Sequence, residues 1–119
     1  MLTSFRVEPP AGDLQDEGTI VDCFEGEELI AWAFVSHEAI DACFPERRLT
    51  NDERNRLVER NRRLIGRVIA ELYAAGEHVP WQRSGKTRPL VVVTPEDLHH
   101  KGVSASKFVL DIGGKSHRG

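Results

Sequence analysis

Between residues 51 and 75, apolar side chains fall at Leu57, Val58, Leu64, Ile65, Val68, Ile69 and Leu72. That three-and-four spacing gathers them on one side of an α-helix. Arg56, Arg60, Arg63 and Arg67 recur at helical spacing on the opposite side. Thr50 and Glu53 form a T-x-x-E capping box ahead of the run, and Gly76 follows it where a left-handed residue closes a helix. The pattern predicts one amphipathic helix over 51–75, a rod on the order of 37 Å long.

Before this helix the period changes to that of strands. Residues 18–24 and 29–35 read as two strands joined by a turn at 25–28 that contains Gly26. The second is apolar on both faces (Leu29, Ile30, Ala31, Trp32, Ala33, Phe34, Val35), as in a strand covered on two sides or one awaiting a partner. Ser36 is placed to cap a short helix over 37–43, with Glu38 in its first turn and Pro45 beyond its end. After a polar connection at 77–89, residues 90–93 form a β-branched strand. Thr94, Pro95, Glu96 and Asp97 then open another short helix. A last short strand is expected at 108–112. Residues 1–17, rich in Pro, Gly and acids, read as a flexible acidic arm with room for a short strand near Ser4, and 113–119 as a disordered tail. The expected fold is α+β: a single domain over 18–112, with a small antiparallel sheet, one long helix across one face and short helices at its edges.

This order of elements resembles a family of short bacterial proteins, domain of unknown function number fourteen eighty-eight, over about residues 18–98. The resemblance rests on the apolar strand ending in Val35 and Ser36, on Ala39, Ile40 and Phe44, and on the helix end from Ile69 to Gly76. The strand closing on Thr94 with Glu96, Asp97 and Leu98 completes it. It implies a small α+β fold with no assigned activity, and carries over no functional residues. The chain departs from the pattern at 81–88 and after His100.

Length and composition narrow the class. The chain has 119 residues, enough for one domain with a core of its own. Apolar residues at 39% and charged residues at 29% fit a globular chain, and no apolar run approaches membrane-spanning length. The N-terminal ten residues hold no signal-like apolar run, so a cytoplasmic location and no membrane partner are expected. Two cysteines, Cys23 and Cys43, are too few for a disulfide framework.

Charge is unevenly placed. Residues 1–45 hold ten acids and one base, net −9, whereas 46–67 hold eight arginines and four acids, net +4. Such an asymmetry favours internal pairing or head-to-tail association over a dedicated polyanion binder, whose acids would repel phosphate.

No reaction is legible. Ser84, Gly85, Lys86 and Thr87 look like the end of a phosphate loop, but Pro80 stands where the first glycine is needed and a strand follows instead of a helix. His99 and His100 are adjacent, so on a helix they point about 100° apart and do not share an ion easily. Cys23, Cys43, His37 and His78 lack zinc-site spacing, and no elbow motif surrounds Ser36. No cofactor, metal or catalytic residue is expected.

The arginine stripe has three readings: a solvated face with local pairs Glu59–Arg63 and Arg67–Glu71, a protein contact, or a grip on nucleic-acid phosphates. The first is the plainest. Arg54 and Asn61 fall toward the apolar side. The simplest placement puts Arg54 in an exposed first turn and Asn61 at a strand edge. Trp32 is expected in the sheet, and Trp81 in a loop that packs it or presents it to a partner. The candidate interaction surface is Arg56, Arg60, Arg63, Arg67, Trp81, Arg83, Lys86 and Arg88. The functional expectation is a small cytosolic bacterial protein acting as a non-enzymatic protein-interaction or regulatory module. Its partner would be another protein or a second copy, the homodimer being suggested by the doubly apolar strand. The alternative is a nucleic-acid-binding regulator using the arginine stripe.

Overall fold

The computed structural model describes residues 1–10 and 13–110. In chain order the elements are β1 (Ser4–Val7), a 3₁₀ turn (Asp13–Asp16), β2 (Gly18–Glu25), β3 (Glu28–Ser36), α1 (His37–Cys43), α2 (Asn51–Arg60), α3 (Arg62–Ala74), β4 (Val79–Arg83), β5 (Lys86–Val93), α4 (Pro95–His100) and a second 3₁₀ turn (Ala105–Lys107). The strands form one five-stranded sheet in the order β1-β2-β3-β5-β4. The α+β class holds, but the sheet is mixed and not antiparallel throughout: β5 runs parallel to β3, from Trp32 opposite Leu90 to Val35 opposite Val93. The cause is the route of the chain. After β3 it passes through three helices and returns as the β4–β5 hairpin, whose second strand lies beside β3 and runs with it.

The local signals act where they stand in the sequence. Ala39 donates its N–H to the Ser36 hydroxyl at 3.0 Å. Thr50 and Glu53 complete a reciprocal capping box, and Thr94 and Asp97 another with Pro95 inside the helix start. Gly76, at φ +80°, ends α3: its N–H reaches Tyr73 O and that of Glu77 reaches Leu72 O, the paired bonds of a Schellman close.

The expected rod is divided. α2 and α3 meet at Asn61, whose backbone leaves the helical region (φ −113°, ψ 30°). Its side chain is the reason. Nδ2 donates to Leu57 O at 2.8 Å and to Val109 O at 3.1 Å, while Oδ1 accepts the Val109 N–H at 2.7 Å. An amide bonded back to the i−4 carbonyl bends a helix. Asn61 is buried at 5% exposure, and instead of capping a strand edge its side chain clamps the C-terminal segment at Val109. Residues 108–110 form no strand; Phe108 is buried with its ring edge-on to Phe44, and the rest of the expected strand and the tail lie outside the described residues.

One face of the sheet and the apolar sides of all four helices make a single core: Val21, Cys23, Ala31, Ala33, Val35, Val91 and Val93 against Ile40, Leu57, Val58, Ile65, Val68, Ile69, Leu72 and Leu98. β1 belongs to this sheet, paired to β2 from Ser4 opposite Phe24 to Val7 opposite Val21, so the expected loose arm carries a strand. Phe5 on β1 lies against Gly66 of α3 so closely that a Cβ there would sit 2.5 Å from the ring. Gly66 thus seats β1 against the helix layer.

Candidate functional site

Strand side chains alternate between faces, so the residues between the core positions point away from the helices. On that second face stand Arg6 and Glu8 at and beyond the end of β1, Asp22 on β2, Trp32 on β3, Arg88 on β5, and Trp81 and Arg83 on β4. The polar connection expected at 77–89 is in fact this hairpin. Pro80 and the flanking polar residues mask β4 in the sequence.

Trp32 is 4% exposed although no helix covers it. Trp81 meets it edge-on at 5.4 Å between centroids, and the guanidinium carbons of Arg83 and Arg88 lie 5.3 and 5.0 Å from its centroid. Arg88 also donates Nε–H to Leu29 O at 3.1 Å. Trp32 is therefore covered by the chain's own side chains, while Phe34 on the same face of β3 is half-buried beside the exposed Val92.

Arg83 extends to Glu8, donating from Nη1 and Nη2 to the two carboxylate oxygens at 2.8 and 2.7 Å. This fork ties the β4 hairpin to the end of β1, and it holds the Glu8 carboxyl down at about 2. Asp22 has the opposite fate. Burial, with Glu8 beside it, pushes its carboxyl up to about 6 despite two bonds from Arg6 to Oδ2 at 3.1 and 2.6 Å. Its Oδ1 meets no donor among the described residues. A proton on Asp22, shared toward Glu8, satisfies that atom. A carboxyl pair split this way is a recognised sign of acid–base chemistry. Here Asp22 is 3% exposed, Glu8 is held by Arg83, and the adjoining cavity, lined among the described residues by Pro9, Pro10 and Leu14, is about 50 Å³. Ligand pockets run from roughly 300 Å³ upward.

The arginine stripe lies along the α2–α3 pair. Arg56, Arg60, Arg63 and Arg67 are all exposed. The expected pairs differ: Glu59 takes Arg62 at 2.6 Å, and Glu71 takes Lys101 at 3.1 Å. Arg63 and Arg67 consequently meet no carboxylate among the described residues. Both line a groove of about 470 Å³ between α3 and β1, walled by Thr3, Ser4 and Phe5 and passing over Gly66. Arg54 is not in an exposed first turn but bridges α1 and α2, donating to both Asp41 oxygens at 2.9 and 3.0 Å and to Asn51 Oδ1 at 2.7 Å.

The eight expected surface residues thus divide. Arg83 and Arg88 are engaged within the fold, Trp81 is half-buried beside them, and Lys86 is exposed at the hairpin turn. The four stripe arginines form a separate surface. Sequence reasoning missed Glu8 and Asp22, and left room for a strand near Ser4 without placing it at a sheet edge. The alternation Ser4, Phe5, Arg6, Val7, Glu8 is the signal that marks that edge.

Cys23 is buried, which pushes its thiol to about 12, and burial also raises Cys43. His37 is 6% exposed with no side-chain partner for either ring nitrogen among the described residues; burial and the nearby Arg54 charge hold it below the usual imidazole range. The cleft beside it includes Asp16 and Asp41, already bonded to Asn51 at 3.0 Å and to Arg54. Among the described residues no group of three or more His, Cys, Asp or Glu is placed to hold a metal, and no helix is long and apolar enough to cross a membrane. No protein family, curated protein or solved structure matches the chain at a significant level.

Proposed function

We propose that this chain is a non-enzymatic protein-interaction or regulatory module of the cytoplasm, meeting a protein partner through the arginine side of α2 and α3 where β1 runs beside it. One observation carries the reading: Arg63 and Arg67 stand exposed beside a sheet edge with no carboxylate partner among the described residues, whereas Arg83 and Arg88 of the opposite face are engaged internally. Guanidinium groups are favoured at protein interfaces because their fork geometry matches carboxylates and they are weakly hydrated. The likeness to domain of unknown function fourteen eighty-eight enters this proposal only through the shared caps and element order, and assigns no activity.

The test is affinity capture from native lysate, with and without nuclease, comparing the wild type with Arg63→Glu/Arg67→Glu. The expected result is a protein retained by the wild type after nuclease treatment and lost by the double variant. Retention of the same protein by both forms contradicts the reading. So does material that disappears on nuclease treatment, which instead places nucleic acid on the stripe.

A further inference from the structure

We propose that the groove between β1 and α3 receives an extended acidic segment of a partner protein, which adds to the sheet as a sixth strand along β1. The inference rests on the interaction-module reading and names the partner's chemistry.

The two sheet edges are not equivalent. β4 forms one edge, and in its pairing Pro80 stands opposite Pro89. Neither proline has an N–H, so the ladder bonds fall on their neighbours and Pro80 turns its missing donor outward. That edge is blunted against strand addition. β1 forms the other edge and has no proline. Glu8 donates its N–H to Ile20 O at 2.9 Å in the β1–β2 register, so the even residues of β1 bond to β2. The alternate residues, Phe5 and Val7, then direct their N–H and C=O groups away from it. An incoming strand requires that row of backbone groups.

The groove beside this edge sets the charge of the occupant. Arg63 and Arg67 rise from its α3 wall and meet no carboxylate among the described residues. They are one helical turn apart, about 6 Å along the axis. Alternate residues of a strand are about 6.6 Å apart. Two acids at positions i and i+2 of an extended segment therefore match the two guanidinium groups, while the residues between them turn to the opposite side.

The probe is a fluorescein-labelled peptide, Ser-Glu-Val-Glu-Val-Glu-Ser, titrated with the protein at low salt and followed by anisotropy and by amide NMR shifts. The expected result is saturable binding with the largest shifts at Phe5, Val7 and the Arg63–Arg67 segment. It weakens at least about tenfold in Arg63→Glu/Arg67→Glu, and at least about tenfold for the same peptide N-methylated at alternate residues, which keeps charge but removes ladder donors. Circular dichroism of the double variant confirms that the fold is unchanged. Equal binding of the N-methylated peptide overturns the proposal, because charge alone then accounts for the affinity. Tighter binding of a single-stranded oligonucleotide of the same charge at these residues overturns it as well, as does no binding up to about 1 mM peptide, a dissociation constant that corresponds to only about 4 kcal/mol. A peptide that fails while capture of a protein still depends on Arg63 and Arg67 overturns the added strand alone; capture indifferent to both arginines overturns the module reading however the peptide behaves.

Discussion

Asn61→Asp is expected to lower the unfolding free energy by about 2–4 kcal/mol at pH 7.5, a large fraction of the roughly 5–15 kcal/mol that holds a domain together. The wild-type amide donates to two carbonyls, Leu57 O and Val109 O, and accepts from Val109 N–H, at 5% exposure. A carboxylate keeps only the accepting half. It sets negative oxygen against both carbonyl oxygens in a place where water does not compensate. Asn61→Ala removes the bonds without the repulsion, and its cost is about 1–3 kcal/mol. Urea midpoints of the three proteins check the order wild type, alanine, aspartate. The aspartate variant recovers part of its loss at acid pH, where a protonated carboxyl donates once more. An aspartate variant within about 0.3 kcal/mol of the wild type at pH 7.5 contradicts the clamp, since that is far below the cost of one lost buried bond.

Asp22→Asn is expected to stabilise the protein at pH 7.5 by about 1–3 kcal/mol, an advantage that fades as pH falls through about 6 and is gone near 4. The Asp22 carboxyl titrates at about 6 in the fold against 3.8 ordinarily. Between those values the folded state holds a proton that the unfolded state has released. Ionisation of this buried group therefore weakens the fold as pH rises through the window, fully so above it, and protonation relieves it below. Asparagine reproduces the protonated form, its oxygen accepting from Arg6 and its amide donating toward Glu8. Two other groups run in the opposite sense. His37 is held low, so the unfolded chain takes its proton first and stability falls below the ordinary imidazole range. Glu8, at about 2 against 4.5, contributes stability above 4.5 that is lost as pH falls toward 2. The difference between the midpoints of the Asp22→Asn variant and the wild type, measured at several pH values between the ordinary carboxylate range and neutrality, follows this carboxyl, because Glu8 stays ionised there and the His37 term is common to both proteins. A difference independent of pH, or a variant weaker than the wild type at neutral pH, contradicts the assignment.

Signals that close within one turn of chain were legible. The caps at Ser36, Thr50 and Thr94 and the glycine close at Gly76 all form from residues within a few positions of one another. The apolar arc from Leu57 to Leu72 was legible because helical period and burial coincide there. What failed depends on distant partners. Asn61 bonds Val109, far along the chain, as well as the local Leu57 carbonyl. The parallel pairing of β5 with β3 is decided by a crossover through three helices, which no local pattern encodes. At the candidate site the stripe itself was visible, but which of its members lack a partner was not. Arg62 takes Glu59 at the local i+3 spacing, and Lys101 and Arg83 take Glu71 and Glu8, acids that only folding brings to them.

Amide hydrogen exchange along β1 of the isolated protein tests most directly whether that edge is open. The account predicts slow exchange at Arg6 and Glu8, which bond to β2, and exchange at least about a hundredfold faster at Phe5 and Val7. Equal protection at all four amides contradicts it, because the row offered to a partner is then already taken.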